Sequence, residues 1–361
     1  MTNRKLKKAL KRLKYIPKGK DFFAYSKNKI EYFALKVAKS RKVAHPSTAM
    51  LELTNHCNLH CITCPREYGY GQEMEMGFMD FEKLKNIVDQ LYPYVDSIGL
   101  TGLGEPMFYK QLPEALAYIK AKNKGIITSI STNASLPKTA QIVETIKNTI
   151  DTIQISIDGV GEGYNQIRKN GDFDKFIINV EQIIAITKNS DTNVMFNMVV
   201  MKENYLQMID ILQLANKLGV NFVNFTLFNL ASVTGIPVEY YEFFQSNEFI
   251  TELLKAEQEA IKYPQIEFTS WDYKTKSGFR KCNFPWTHYY FTWDGFLAPC
   301  CAKPFPKELN FGNAFEKPVM QCINSKGFQD FRSLWFENIT PEFCKKCHFI
   351  DLKEFSLELN T

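Results

Sequence analysis

Cys57, Cys61 and Cys64 fall inside one short stretch, TNHCNLHCITCPR at residues 54–66. Three thiolates that close together have few chemical uses. A disulfide takes two cysteines, and a structural zinc site takes four ligands. A cubane [4Fe–4S] cluster can draw three of its irons' ligands from one loop and leave the fourth iron open to a chelating small molecule. A three-thiolate zinc site completed by His56 or His60, or a group of unliganded buried thiols, competes for the same residues. Farther along, Cys282, Cys300, Cys344 and Cys347 make a second set that closes with C-x2-C. Four thiolates with none left over suit a fully ligated site, and by spacing alone tetrahedral zinc and a [4Fe–4S] cluster fit equally. Cys301 and Cys322 complete the nine cysteines. Cys301, beside a ligand, reads as a packed thiol, a competing ligand or a hydrogen-atom donor, and Cys322 as core.

The first set needs a scaffold, and the flanking sequence supplies one. Short apolar runs at 50–53, 97–101, 126–131, 153–157, 194–200 and 222–228 alternate with amphipathic stretches at 81–91, 112–119, 139–146, 176–186 and 205–218. That rhythm predicts about six β/α units around a parallel sheet, an α/β fold of the partial (β/α)6 barrel kind. Chemistry in such barrels gathers at the C-terminal strand ends. There the first strand runs into the three cysteines and the second into Gly102-Leu103-Gly104-Glu105-Pro106. The third ends at Ser131-Thr132-Asn133, and the fourth at Ser156-Ile157-Asp158-Gly159. Beyond residue 235 the rhythm breaks. Helices are expected over 238–262, then a hairpin over 286–301 turning at Asp294-Gly295, then a helix over 328–336. The implied organisation is a basic helical extension at 1–45, the barrel at 46–235, a helical linker at 236–265 and a small cysteine-bearing domain at 266–361.

C-x3-C-x2-C after a first barrel strand, with G-E-P after the second, resembles the radical S-adenosylmethionine (SAM) enzymes over residues 48–230. The resemblance implies that Cys57, Cys61 and Cys64 hold a [4Fe–4S] cluster whose open iron takes the amine and carboxylate of SAM. One electron from that cluster would cleave SAM, and the 5′-deoxyadenosyl radical would abstract hydrogen from an unactivated C–H bond. By the same resemblance Gly104 and Glu105 bind the methionine ammonium, with Pro106 fixing the loop. Ser131, Asn133 and Ser156 stand where the family holds ribose or carboxylate, and Arg168 suits the SAM carboxylate. The chain departs from the family pattern at Thr63, often an aromatic residue against adenine, and at Leu103, often glycine. The second cysteine set resembles the family's C-terminal SPASM extension, called twitch in its one-cluster form. No further C-x5-C-x3-C run follows Cys347, so the one-cluster form is implied, and with it an auxiliary [4Fe–4S] cluster that transfers electrons.

The function expected from this is dehydrogenation or epimerisation of a hydroxyl-bearing carbon on a sugar, cyclitol or phosphate- or lipid-linked metabolite. A small-molecule substrate is preferred over a peptide, and a flavodoxin- or ferredoxin-type protein is the expected reductant. The alternatives are a maturase of ribosomally made peptides and, from another class, a two-cluster electron carrier or sensor. Cys301, Arg280 and His288 are the candidates for a catalytic group. Charge adds one more expectation. Residues 1–45 carry 15 Lys/Arg against two acids, while the remainder carries 29 against 37. The basic leader reads as two helices, either a cap on the main domain or a contact for a membrane surface or another anionic partner. Nucleic acid is not expected, because no aromatic-interleaved basic stripe recurs. With no run of 18 apolar residues and no signal-like start, the sequence reads as cytoplasmic, with peripheral contact at the membrane.

Overall fold

The computed structural model describes residues 6, 10, 16–270 and 282–351. Arg280 lies outside them. Six strands, β1 (Thr48–Leu51), β2 (Ser97–Gly99), β3 (Ile127–Thr132), β4 (Thr152–Ser156), β5 (Asn193–Val200) and β6 (Phe222–Leu227), lie side by side in chain order, all parallel. After helix α1 (Lys20–Val37), the crossovers are α2 (Phe81–Leu91), α3 (Leu112–Lys122), α4 (Thr139–Ile146), α5 (Glu162–Ile167), α6 (Phe173–Thr187) and α7 (Met208–Leu218). Every strand and helix expected of the barrel is present.

The strands alternate for a physical reason. Side chains of a strand point to opposite faces in turn. On β4, Ile153 and Ile155 are fully buried against the helices, whereas Gln154 and Ser156 between them are only half-buried. On α2 the apolar residues Leu84, Ile87, Val88 and Leu91 recur at helical spacing and are all fully buried. Each such side chain contributes about 1.5–3 kcal/mol on leaving water. Asp80 caps α2 and Asp172 caps α6, each accepting the backbone N–H three residues on. Gly219, at φ +76°, ends α7 in the left-handed region where a Cβ is unwelcome.

The sheet continues past the six expected strands. After α8 (Asn247–Ile261), β7 (Glu267–Thr269) adds to β6. At the other edge β8 (His288–Phe291) pairs parallel with β1, and β9 (Leu297–Ala298) pairs antiparallel with β8. Among the described residues the result is one nine-stranded sheet, β9-β8-β1-β2-β3-β4-β5-β6-β7. The expected border at residue 266 is therefore not a structural border. β7 completes the barrel edge, and the hairpin of the cysteine-bearing domain prolongs the same sheet on its opposite side. β8 and β9 are the hairpin expected over 286–301, whereas its docking on β1 and the three-residue β7 have no signal in the sequence.

Helix α1 does cap the barrel, but with its polar face. Tyr25 donates to Asp96 at 2.9 Å, Lys29 pairs with Asp96 at 2.8 Å, and Asn28 exchanges hydrogen bonds with the backbone of His45. The segment after it is pinned by Asn324, which binds the backbone of Val43 through both amide atoms. Arg332, fully buried, donates to the carbonyls of Pro285, Arg41 and Ile323. Among the described residues no helix is long and apolar enough to cross a membrane.

Candidate cluster and cofactor site

The cysteine loop follows β1 and is shaped by guanidinium groups on two sides. Arg66, 8 % exposed, donates to the carbonyls of Asn55 and Leu59 and so curls the chain around Cys57. Opposite it, His60–Cys61 forms a two-residue antiparallel bridge with Arg168–Lys169, which sets Cys61 directly across from Arg168. Arg168 Nη1 lies 3.9 Å from Cys61 Sγ, and Asn133 Nδ2 donates to Cys57 Sγ at 3.4 Å. Burial pushes the thiol of Cys57 up, that of Cys64 to about 11 and that of Cys61 to about 12, and Cys57 adds to the rise at both of the others. Three partly or fully buried thiols that each resist ionisation alone become good ligands when a cationic group neutralises them together.

The second strand end locks onto this loop. Glu105 N donates to His56 O at 2.8 Å, and a Cβ on Gly104 would stand 2.4 Å from Thr54 O and 2.5 Å from His56 O. Only glycine allows that approach. The Glu105 carboxylate, 2 % exposed, accepts from Thr132 Oγ1 at 2.8 Å and from Asn133 N at 2.7 Å. Desolvation raises its pKa to about 7. Its side chain thus braces the third strand end instead of facing the expected ammonium, and the Glu105 carbonyl accepts from Phe108 N at 3.0 Å. Asn133 is engaged likewise, because its amide also donates to Asn58 and its carbonyl accepts from Ser135. Ser131 and Ser156 remain half-buried on the inner face, their hydroxyls 3.4 Å apart.

Arg168 differs most from its expected role. Its charge is already met by Asp158, fully buried, at 2.8 Å. Asp158 in turn accepts from Val199 N. Arg168 Nε is buried and has no hydrogen-bond partner among the described residues. Of the histidines near the loop, His56 stacks on Phe78 and His60 pairs with Glu67. His288 opens β8 in register with Thr48, at the end of β1 opposite the cysteine loop, and stacks on Phe284. It is not among the groups gathered at that loop.

Several residues escaped the sequence reading. Glu52, fully buried at the end of β1, accepts from Leu103 N at 2.8 Å, Tyr290 Oη at 2.7 Å and Trp293 N at 3.2 Å. One carboxylate thereby ties the loop after β2 to the cysteine-bearing domain, and burial raises its pKa to about 7. Inside the barrel, Gln154 donates to Ser131, Asn224 to Asn197 and Thr269 to Asn224. Their signal was the polar half of each strand's alternation, which marks a wet interior.

The second set assembles from distant residues. Cys300 lies near enough to Cys282, Cys344 and Cys347 to raise the thiol of each, beyond the larger effect of burial, and is itself raised chiefly by Cys301. Two of the sulfurs receive N–H donors, Cys300 from Ala302 N at 3.3 Å and Cys347 from Asn229 Nδ2 at 3.6 Å. Asn229 comes from the loop after β6, another residue the sequence did not single out. The Cys301 thiol lies against that of Cys300, and Cys322 is buried core. Among the described residues no three His, Cys, Asp or Glu side chains converge tightly enough to share a single metal ion. Thiolates of a cubane each bind a different iron and need no such convergence. Both donor sets, all sulfur and served by N–H groups, fit iron–sulfur clusters.

Comparison with known proteins agrees. Residues 51–215 match the radical SAM superfamily, and residues 282–348 match the SPASM iron–sulfur cluster-binding domain. The chain is 25 % identical to the tungsten-containing aldehyde ferredoxin oxidoreductase cofactor-modifying protein of Pyrococcus furiosus, over 84 % of this chain and 88 % of that one. It is 25 % identical to the PqqA peptide cyclase of Bradyrhizobium diazoefficiens (85 % and 80 %). With the subtilosin biosynthesis protein AlbA of Bacillus subtilis the figure is 24 % (89 % and 68 %). In fold it resembles Streptococcus suis SuiB bound to the precursor peptide SuiA, at TM-score 0.64 and 16 % identity over 90 % of this chain and 74 % of that one. The preference for a small-molecule substrate is overturned by two of these relatives, matched along both domains and named for a peptide and for a bacteriocin, while the first is named for a cofactor. The two domain matches, over a sheet that carries both cysteine sets, make this chain a SPASM-domain member of the radical SAM superfamily, an enzyme whose cofactors are SAM and two [4Fe–4S] clusters.

Proposed function

We propose that this enzyme modifies a peptide, with Cys57, Cys61 and Cys64 holding the SAM-binding cluster and Cys282, Cys300, Cys344 and Cys347 the auxiliary one. The observation that carries the reading is the similarity, along 85–89 % of the chain, to a PqqA peptide cyclase and to a subtilosin biosynthesis protein. The bound cofactors supply a 5′-deoxyadenosyl radical that takes hydrogen from a C–H bond. The chain's own residues do the positioning. Asn133 and Arg168 hold two of the sulfurs, Gly104 lets the second strand end close on the loop, and Ser131 and Ser156 offer hydroxyls from the inner wall.

We assign the peptide to a cleft of about 310 Å³. It opens between Tyr70 and Glu73 of the segment after the cysteines, Ser232 of the loop after β6, and Lys303, Phe305 and Glu308 of the auxiliary domain. At its rim Tyr70 is exposed, while Phe305 is buried at its base and Lys303 and Glu308 are paired with each other. The Ser232 hydroxyl beneath it is buried without a hydrogen-bond partner among the described residues. The test is anaerobic turnover of the reconstituted enzyme with SAM, a reductant and the short peptides encoded beside its gene. Peptide-dependent release of 5′-deoxyadenosine, with a matching mass change in the peptide, is expected. Release stimulated by polyols or sugars and by none of the peptides would contradict the reading.

A further inference from the structure

Helix α1 is amphipathic in the opposite sense from a helix that buries its apolar side. Phe23, Ile30, Phe33 and Val37 follow one another at spacings of seven, three and four, and so form a single stripe. They stand 73 %, 72 %, 67 % and 67 % exposed. The face turned to the body is polar, made of Tyr25, Asn28 and Lys29 bound to Asp96 and His45. Burying the stripe inward would have been the ordinary outcome for a cap, so its exposure calls for a partner.

The surrounding charges identify that partner. Lys20, Lys27 and Lys36 are exposed along the helix, and Lys39, Arg41 and Lys42 follow it. Glu31 is the one exposed acid between residues 16 and 45. Before the helix, Leu6 and Leu10 are also exposed, in a stretch where residues 1–15 carry seven Lys/Arg and no acid. Phenylalanine and isoleucine flanked by lysine describe a helix that lies in a lipid interface. A second copy of the chain fits poorly, because a two-fold contact would set one basic rim against the other. The peptide substrate fits poorly too. Asp96 and His45 precede β2 and β1, whereas the cysteines follow β1, so α1 sits at the end of the barrel away from the site.

We propose that α1 docks the enzyme on an anionic lipid surface, stripe inward and cluster face outward. This stands independently of the substrate class. The full-length protein is tested by flotation with vesicles of phosphatidylcholine alone and of phosphatidylcholine with phosphatidylglycerol. Binding is expected only with phosphatidylglycerol, and is expected to weaken as salt screens the charges. The Phe23→Ser/Phe33→Ser variant, which removes two exposed rings and leaves the polar contacts of α1 alone, should melt as the wild type does and bind at least about tenfold more weakly. Three results would overturn the proposal. One is no flotation with anionic vesicles, the second is undiminished flotation of the variant, and the third is a concentration-dependent dimer in sedimentation that the variant dissolves.

Discussion

The two cysteine sets reach the same chemistry by opposite routes. The first takes all three thiols from one eight-residue span and surrounds them with charge: Arg66 on one side, the buried Asp158–Arg168 pair on the other, and buried Glu105 behind. The second draws four thiols from a span running from Cys282 to Cys347 and offers them chiefly neutral donors, the amide of Asn229 and the backbone of Ala302, with Lys303 as the charge near Cys344. The first has one neutral donor of this kind, Asn133 on Cys57. A site with an open iron must hold a charged ligand in one orientation, and fixed charges do that. A fully ligated site needs only its redox level adjusted, for which neutral N–H donors suffice. Between them runs Glu52, whose carboxylate joins the loop after β2 to the auxiliary hairpin.

The contrast can be broken most forcefully at Asp158. Removing one partner of a buried pair leaves the other charge uncompensated, so Asp158→Ala should cost about 3–5 kcal/mol in urea unfolding of the cofactor-free chain. A loss below about 1 kcal/mol would mean that Arg168 finds another partner and that the charge frame is dispensable.

The next effect is a pH dependence. Glu52 and Glu105 have folded pKa values near 7 against an ordinary 4.5, both raised first by desolvation. A carboxyl whose folded pKa is raised binds more protons folded than unfolded. Its stabilising contribution is full below 4.5 and is lost as pH climbs through 7. Each group supplies roughly 3 kcal/mol of that slope. Urea midpoints of the cofactor-free chain should fall across this window, and Glu52→Gln should flatten the fall by about its own share. A profile unchanged by that substitution would contradict the buried clip.

Smaller still are the sulfur donors. Asn133→Ala and Asn229→Ala each remove one N–H from one sulfur, a change on the order of 1 kcal/mol. In the reconstituted enzyme the first should shift the paramagnetic resonance of the SAM-binding cluster alone, and the second that of the auxiliary cluster alone. Both variants moving the same signal would deny that the two sets are separate sites.

Much of this was legible before any coordinates. Apolar alternation marked the six barrel strands, and the first ligand set is local enough to be written in thirteen residues. The gaps have a common cause. Glu52, Arg66 and Asn229 are single polar residues whose meaning depends on which distant group they meet, and nothing local distinguishes them from solvent-facing ones. Arg168 was matched to a carboxylate without its partner Asp158, ten residues earlier, because α5 turns the chain back between them. The hairpin of β8 and β9 was legible from its own alternation, but three-residue β7, and the docking of β8 on β1, are fixed by neighbours. Helix α1 shows apolar spacing that a cap would bury, and only the structure reveals that the stripe points outward.

The measurement that bears most directly on two separate cluster sites is an iron and sulfide count on anaerobically reconstituted protein. It compares the wild type with the Cys57→Ala/Cys61→Ala/Cys64→Ala variant. Two cubanes predict about eight irons per chain falling to about four, with the auxiliary signal intact in the variant. Four irons in both proteins, or loss of all iron on removing the first set, would contradict it.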